Sequence, residues 1–308
     1  MTCVSASVME YAPSKVYTVV GQTKDMTLHG NTLLISTGSG TVHIYDITSD
    51  VEVKRIELEK VKDFMGDLNA PKVFSVDKDE QRYLLLSDSG SGGYTNLWIH
   101  EDNKTKNILN ASHKIAALKA RFVDNKHVLL GLLSNEAVLV DIEAKKVVYT
   151  VQLEPSKFSD FTLNEDRTKA VFACESGILS MIDTLTGKEI KKLKGVNVDN
   201  VYKVDFKNGI VSAAGQDRRG GLYDIDSGMQ TYIEGSFLIY ATALSPSAKK
   251  VAFTMDEKNN IWVYSRSSKQ KIAELKGQKS TLNTILFKDE NTLFTASDDN
   301  SVMVWKIK

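Results

Sequence analysis

An all-β ring of seven four-stranded antiparallel blades, a β-propeller, is the fold class this 308-residue sequence predicts, and three observations predict it. Apolar residues alternate over short runs separated by turn residues, the pattern of strands about five to seven residues long. A polar turn follows an aromatic or aliphatic strand end at Tyr45, Trp98, Val140, Ile182, Tyr223, Tyr264 and Trp305, at intervals of 53, 42, 42, 41, 41 and 41 residues. No segment carries the 3.6-residue periodicity over about 10 to 12 positions that helical repeats of similar length require.

The elements follow in order from the last interval. Lys271 to Leu275 forms an outer strand running into Lys276-Gly277. Leu282 to Phe287 is then a first strand, Thr292 to Ala296 a second and Ser301 to Trp305 a third, with polar turns at 288–291 and 297–300. The second strands of the other repeats are Leu33 to Ile35, Tyr83 to Leu86, Val128 to Leu130, Ala170 to Phe172, Ile210-Val211 and Val251 to Phe253. They are uninterrupted and apolar, as strands covered on both faces should be. The seventh repeat stops at Lys308, so its outermost strand is missing from the C-terminus. Ser14 to Gln22 supplies it, because that stretch parallels Ser268 to Gln278, and the N-terminal strand is expected to complete the last blade and close the ring. Residues 14–308 then form one domain. Residues 1–13 are expected to be a flexible segment with no place in the ring.

Composition narrows the partners. Hydrophobic residues make up 42% and charged residues 25%, which suits a folded chain with a sizeable core. Lys plus Arg and Asp plus Glu each number 39, so no excess positive charge is available for a nucleic-acid backbone or an anionic membrane. No apolar run approaches the about 18 to 20 residues of a membrane span. Cys3 and Cys174 are too few for a disulfide framework or a thiolate metal site.

Within this frame Thr295 to Trp305 resembles the second turn and third strand of the WD40 family, ending at its Trp-Asp position, and Tyr45-Asp46 and Tyr223-Asp224 look like degenerate versions. The resemblance covers essentially the whole chain and implies the same propeller. Gly187 and Gly228 fall where a hairpin wants positive φ. The family's Gly-His pair is replaced by Gly195-Val196, Gly235-Ser236 and Gly277-Gln278, and only His113 stands near that place. The resemblance therefore implies that the family's buried Asp-His-Ser-Trp network is mostly absent, with apolar packing between blades in its stead.

No catalytic constellation emerges. The five histidines, His29, His43, His100, His113 and His127, fall in different repeats without metal or haem spacing, and no G-x-S-x-G elbow is present. The glycines of 89–93 lack the Gly-Lys-Ser/Thr of a phosphate loop. No cofactor and no metal is expected. Arg218 and Arg219 stand together in a turn, where two guanidinium groups could hold a carboxylate or phosphate, or simply be solvated.

The clearest irregularity is the long first interval. Its extra residues sit in 59–71, which lengthens the connection into the second repeat, and in 88–94, which lengthens a turn within it. Both connections belong to one face of a propeller, so they should stand together beside the central opening, and long loops on a rigid scaffold often carry recognition. Phe64, Met65 and Leu68 are candidate apolar anchors for a partner, with Lys62, Asp63 and Asp67 as a charged rim. Folding back over a blade edge is the alternative. Tyr94, Phe158, Arg218 and Arg219 are candidates on the same face, and the aromatics of Phe237 to Tyr240 lie near them.

A non-catalytic scaffold that binds another protein or peptide on this face, monomeric by itself, is the expected function. A propeller enzyme such as a lactonase or a cofactor-dependent oxidoreductase is the competing class. Val4-Ser5-Ala6 has the small residues of an export-signal cleavage site without the basic and apolar regions that precede one, so the first residues read either as the remnant of such a signal or as an ordinary terminus. With an export remnant, the chain resembles the periplasmic WD40-type accessory proteins encoded with bacterial periplasmic nitrate reductases, the NapL type. That resemblance implies a periplasmic location and help with assembly or electron supply of a respiratory enzyme. The alternative is a cytoplasmic WD40 scaffold in a multiprotein complex.

Overall fold

Seven antiparallel four-stranded units account for almost the whole computed structural model, which describes residues 8–308. Blade one comprises Thr23–His29, Thr32–Thr37, Thr41–Asp46 and Val51–Glu57, from the inner strand outward, and each later blade repeats that order. Blade two runs from Val73–Asp79 to Lys104–Leu109, blade three from Ala117–Phe122 to Lys146–Gln152, and blade four from Phe158–Leu163 to Glu189–Leu193. Blade five runs from Val201–Lys207 to Gln230–Glu234 and blade six from Thr242–Leu244 to Lys271–Leu275. The second strands are buried almost completely, with Leu33, Leu34, Leu84, Leu129, Val171, Val211 and Val251 at 0% exposure, because blades cover them on both sides. Gly187 and Gly228 adopt positive φ in their hairpins, as the turn positions require.

Blade seven holds Leu282–Phe287, Thr292–Ser297 and Ser301–Lys306, and its fourth strand is Lys15–Thr18 from the other end of the chain. The pairing is antiparallel, Lys15 opposite Val304 and Thr18 opposite Ser301. Further backbone bonds run from Ser14 N to Val304 O (2.7 Å), Val19 N to Asn300 O (2.9 Å) and Thr23 N to Asp299 O (2.8 Å). Tyr17 anchors the strand. Its ring is buried 4.7 Å from that of Tyr45, and its hydroxyl donates to Asp50 at 2.7 Å, so the closing strand also grips blade one.

The expectation that nothing before residue 14 joins the ring is corrected. Met9–Tyr11 lies parallel to Lys271–Leu275 as a fifth strand on blade six, with Met9 opposite Ala273. Lys276 N donates to Tyr11 O, and Lys308 N donates to the Tyr11 hydroxyl. An unpaired outer edge accepts a strand wherever chain length allows, and this segment had one within reach. Val4-Ser5-Ala6 and Cys3 lie outside the described residues.

The polar network between strands is also richer than the missing histidines suggest. In blade seven Trp305 Nε1 donates to Thr295 Oγ1 (2.9 Å), Thr295 Oγ1 donates to Gln278 Oε1 (2.9 Å), and Gln278 Nε2 donates to Ser297 Oγ (2.5 Å). Gln278 thus occupies the histidine's role: a side-chain amide offers the acceptor and donor that an imidazole would. Blade five uses Asn197, which accepts from the Tyr223 hydroxyl at 3.2 Å and donates to Asp217 at 3.2 Å.

Adjacent inner strands are clamped by carboxylates. Asp25 accepts from Val76 N (3.0 Å), Asp77 from Phe122 N (2.9 Å), Asp160 from Val204 N (3.1 Å) and Asp205 from Leu244 N (2.8 Å). Each residue belongs to one blade's inner strand and takes a free N–H from another's, satisfying donors that face the channel rather than a sheet partner.

Candidate functional site: the hairpin face

The two insertions meet. Residues 59–71 fold into a small hairpin in which Val61–Lys62 pairs with Leu68–Asn69, standing out from the connection between blades one and two. Its turn is fixed from within. Asp63 Oδ1 accepts from Met65 N (2.9 Å) and Asp67 N (3.0 Å), and its Oδ2 accepts from Asn69 Nδ2 (2.9 Å). Asp63 N also donates to Asp67 O at 3.0 Å, and Gly66 takes a φ of 91° that a side chain would strain. Asp63 was expected on a charged rim; it is instead the pin of the turn, because an aspartate can accept several local N–H groups at once.

Residues 88–94 are held the same way. Asp88 accepts from Lys72 N (2.8 Å) and Gly90 N (3.0 Å), and the Ser89 hydroxyl donates to Tyr94 O (2.8 Å). A Cβ on Gly90 would stand 2.3 Å from Lys62 O, so only glycine lets this loop press against the hairpin.

What the pinned turn presents is apolar. Phe64 is 90% exposed, Met65 74% and Leu68 58%, and none of them folds back over a blade edge. Lys62 and Asp67 are exposed beside them. Under the hairpin a recess of about 400 Å³ opens between blades two and three, walled by Val61, Phe74, Tyr94, Leu118 and Leu133 with Lys72 at its edge. A projecting aromatic tip above an apolar hollow can engage an apolar side chain of a partner and bury it against Tyr94.

Three other expected residues do not join this site. Phe158 is buried at 3% exposure, packed against Phe161 and Phe172 with centroids at 6.3 and 6.0 Å. It opens the inner strand of blade four and belongs to the core. Arg218 and Arg219 point apart. Arg219 donates to Val196 O at 2.8 Å and lies 4.8 Å over the Tyr232 ring, whereas Arg218 is exposed in a left-handed turn with φ 64°. Arg218 stands in the turn before the strand that Arg219 begins, and the Arg219 guanidinium is already taken by Val196 O and the Tyr232 ring, so the pair makes no clamp for an anion.

The structure adds a residue on this face that the repeat pattern concealed. Tyr202 stands 5.1 Å from Tyr240, which is 6.3 Å from Phe237, and donates to Gln216 Oε1 at 2.8 Å. Burial, with Tyr240 and Asp199 nearby, pushes the Tyr202 phenol up, so it remains a neutral donor. Cys174 is buried, with its Sγ 3.4 Å from Ile178 O. No helix among the described residues is long and apolar enough to cross a membrane.

These features define a seven-bladed β-propeller with an enlarged, pinned pair of loops on one face. Comparison with solved structures bears out the fold: the chain is similar to the β-propeller domain of Myceliophteria thermophila Cps50 (Swd1), with a TM-score of 0.76 and 14% identity over 96% of this chain and 99% of that one. No family model matches the chain, and no curated protein matches it.

Proposed function

We propose that the chain is a non-catalytic interaction platform that takes a protein partner on its hairpin face. The observation that carries this reading is the exposure of Phe64 and Met65 on a turn held by three side-chain bonds of Asp63, beside the recess at Tyr94. An exposed apolar tip costs solubility, and fixing it lowers the entropy lost when a partner orders it. The propeller fold supports the reading, since a closed ring of sheets is a stiff base for such loops. The partner offers an aliphatic or aromatic side chain to the recess and buries Phe64 in return. With a purified partner, Phe64→Ser and Met65→Ser should each weaken binding by about 30-fold, the effect of removing an interface anchor of roughly 2 kcal/mol. Unchanged affinity in both variants, or after cutting back residues 60–70, would refute the assignment.

A narrower reading places this platform in the periplasm beside a respiratory nitrate reductase. It rests on the small residues Val4-Ser5-Ala6 and is tested by fractionating the native source and sequencing the mature N-terminus. A protein found only in the cytoplasm would reject it and leave the platform itself standing.

A further inference from the structure

The inner strands enclose a second feature, unrelated to the hairpin. A cavity of about 510 Å³ runs between them, and its lining includes Gly30, Asn164, Glu165, Arg167 and Lys288, from the turns between inner and second strands. It therefore opens on the face opposite the hairpin. Five carboxylates and six Lys or Arg side chains line it.

The carboxylates are already engaged. Arg121 grips Asp25 with two bonds (2.8 and 3.0 Å), His29 (2.7 Å) and Arg167 (3.1 Å) flank Asp77, and Lys119 lies 2.6 Å from Asp160. Asp205 accepts from two backbone N–H groups, and Glu165 accepts from Asn208 N at 2.6 Å. The cations are not matched in the same way. Lys203 reaches only to 3.8 Å from Asp160, whose near oxygen Lys119 already holds. Lys207 and Lys288 make no ion pair among the described residues. Lys203 and Lys207 share a face of blade five's inner strand, about 13 Å apart along it. Lys288 follows the inner strand of blade seven, and blade six contributes only uncharged Thr242 and Leu244 between them. Burial, with Arg121 and Lys203 close by, holds the Lys119 ammonium below the usual lysine range despite Asp160 beside it. Hydrogen bonds from backbone N–H groups leave Asp205 and Glu165 charged, so six cations against five carboxylates leave an excess of one positive charge, and low-dielectric walls concentrate its field toward the mouth, where Lys207 and Lys288 stand.

We propose that this channel binds a small, multiply charged phosphate anion, which enters between Lys207 and Lys288 and is held by Lys203. The free anion is the ligand, because the cations line a cavity between the inner strands rather than a surface groove. The test titrates the whole protein with inorganic pyrophosphate, orthophosphate and sulfate by calorimetry at constant ionic strength. Pyrophosphate should bind tightest, and Lys207→Gln and Lys288→Gln should each weaken it by about fivefold, as one lost charge contact in a partly screened mouth implies. Both lysines lack ion-pair partners, so the variants should unfold at the wild-type temperature, and Lys258→Gln on the other face should bind as wild type does. Absence of binding heat, equal affinity for sulfate and pyrophosphate, or affinity unchanged in both mouth variants would each overturn the proposal, the last by showing adventitious surface binding only.

Discussion

Replacing Tyr17 by alanine strikes the ring at its seam. Tyr17 is 5% exposed, packs tilted against Tyr45 of blade one with ring centroids 4.7 Å apart, and donates to Asp50 at 2.7 Å, all from a strand whose backbone belongs to blade seven. Truncating a buried aromatic costs about 3 to 5 kcal/mol through lost transfer energy and the cavity left behind. Because Asp50 is about half exposed and can turn to water, the hydrogen bond adds little. We therefore expect a loss of about 3 kcal/mol in urea unfolding, followed by the fluorescence of Trp305, which is buried in the blade being closed. Val16 is the internal control: it is 46% exposed on the opposite side of the same strand, and Val16→Ala should cost no more than about 0.5 kcal/mol. A Tyr17→Ala loss below about 1 kcal/mol, or equal losses for the two variants, would refute the closing role of this strand.

Gln278→Leu leaves Thr295 and Ser297 without their buried partner and should cost about 1 to 3 kcal/mol in the same assay, more than an isosteric change at an exposed site. Asp25 and Asp77 should make the fold acid-sensitive. Burial alone would raise both carboxyl groups, yet Arg121 beside Asp25, and His29 and Arg167 beside Asp77, hold them below the usual range. A depressed carboxylate stabilises the fold above its unfolded value near 3.9 and loses that contribution as pH falls through the folded value. Stability measured from pH 6 downward should therefore drop as pH falls below about 4, and Arg121→Met should flatten the slope while lowering stability at pH 6. Asp63→Ala should free the hairpin turn: amide exchange at Met65 and Asp67 should quicken by about tenfold or more while the blade strands keep their protection.

Much of the fold was legible because period survives where signature residues do not. The even spacing from Trp98 to Trp305 reflects a fixed blade geometry, and the likeness of Ser14 to Gln22 and Ser268 to Gln278 reflects a shared place as outer strand. Met9–Tyr11 was not legible, since three residues show no alternation and their pairing depends on a distant edge. Phe158 misled because Ser, Lys and Asp surround it like loop residues, although the strand begins at Phe158 itself. Gln278 was hidden by the expectation of histidine, whose hydrogen bonds an amide can copy. The hairpin was legible as extra length, with Phe64 and Met65 as its apolar content. The pinning role of Asp63 was not, because it depends on which N–H groups the turn brings to one carboxylate. The channel charges are spread over several inner strands, as at Asp25, Asp77, Lys119 and Asp160, and read singly they look like solvated positions.

That this propeller meets its partner at the hairpin tip is the proposal on which its function rests. A photo-reactive diazirine analogue of methionine at position 65, activated in cells of the native source, tests it most directly, with Met229 as an equally exposed reference on another edge. We expect one dominant protein adduct from position 65, mapped to residues 64–68 and lost in Phe64→Ser, with none from position 229. Equal labelling from the two positions, or an adduct at 65 that persists in Phe64→Ser, would contradict it.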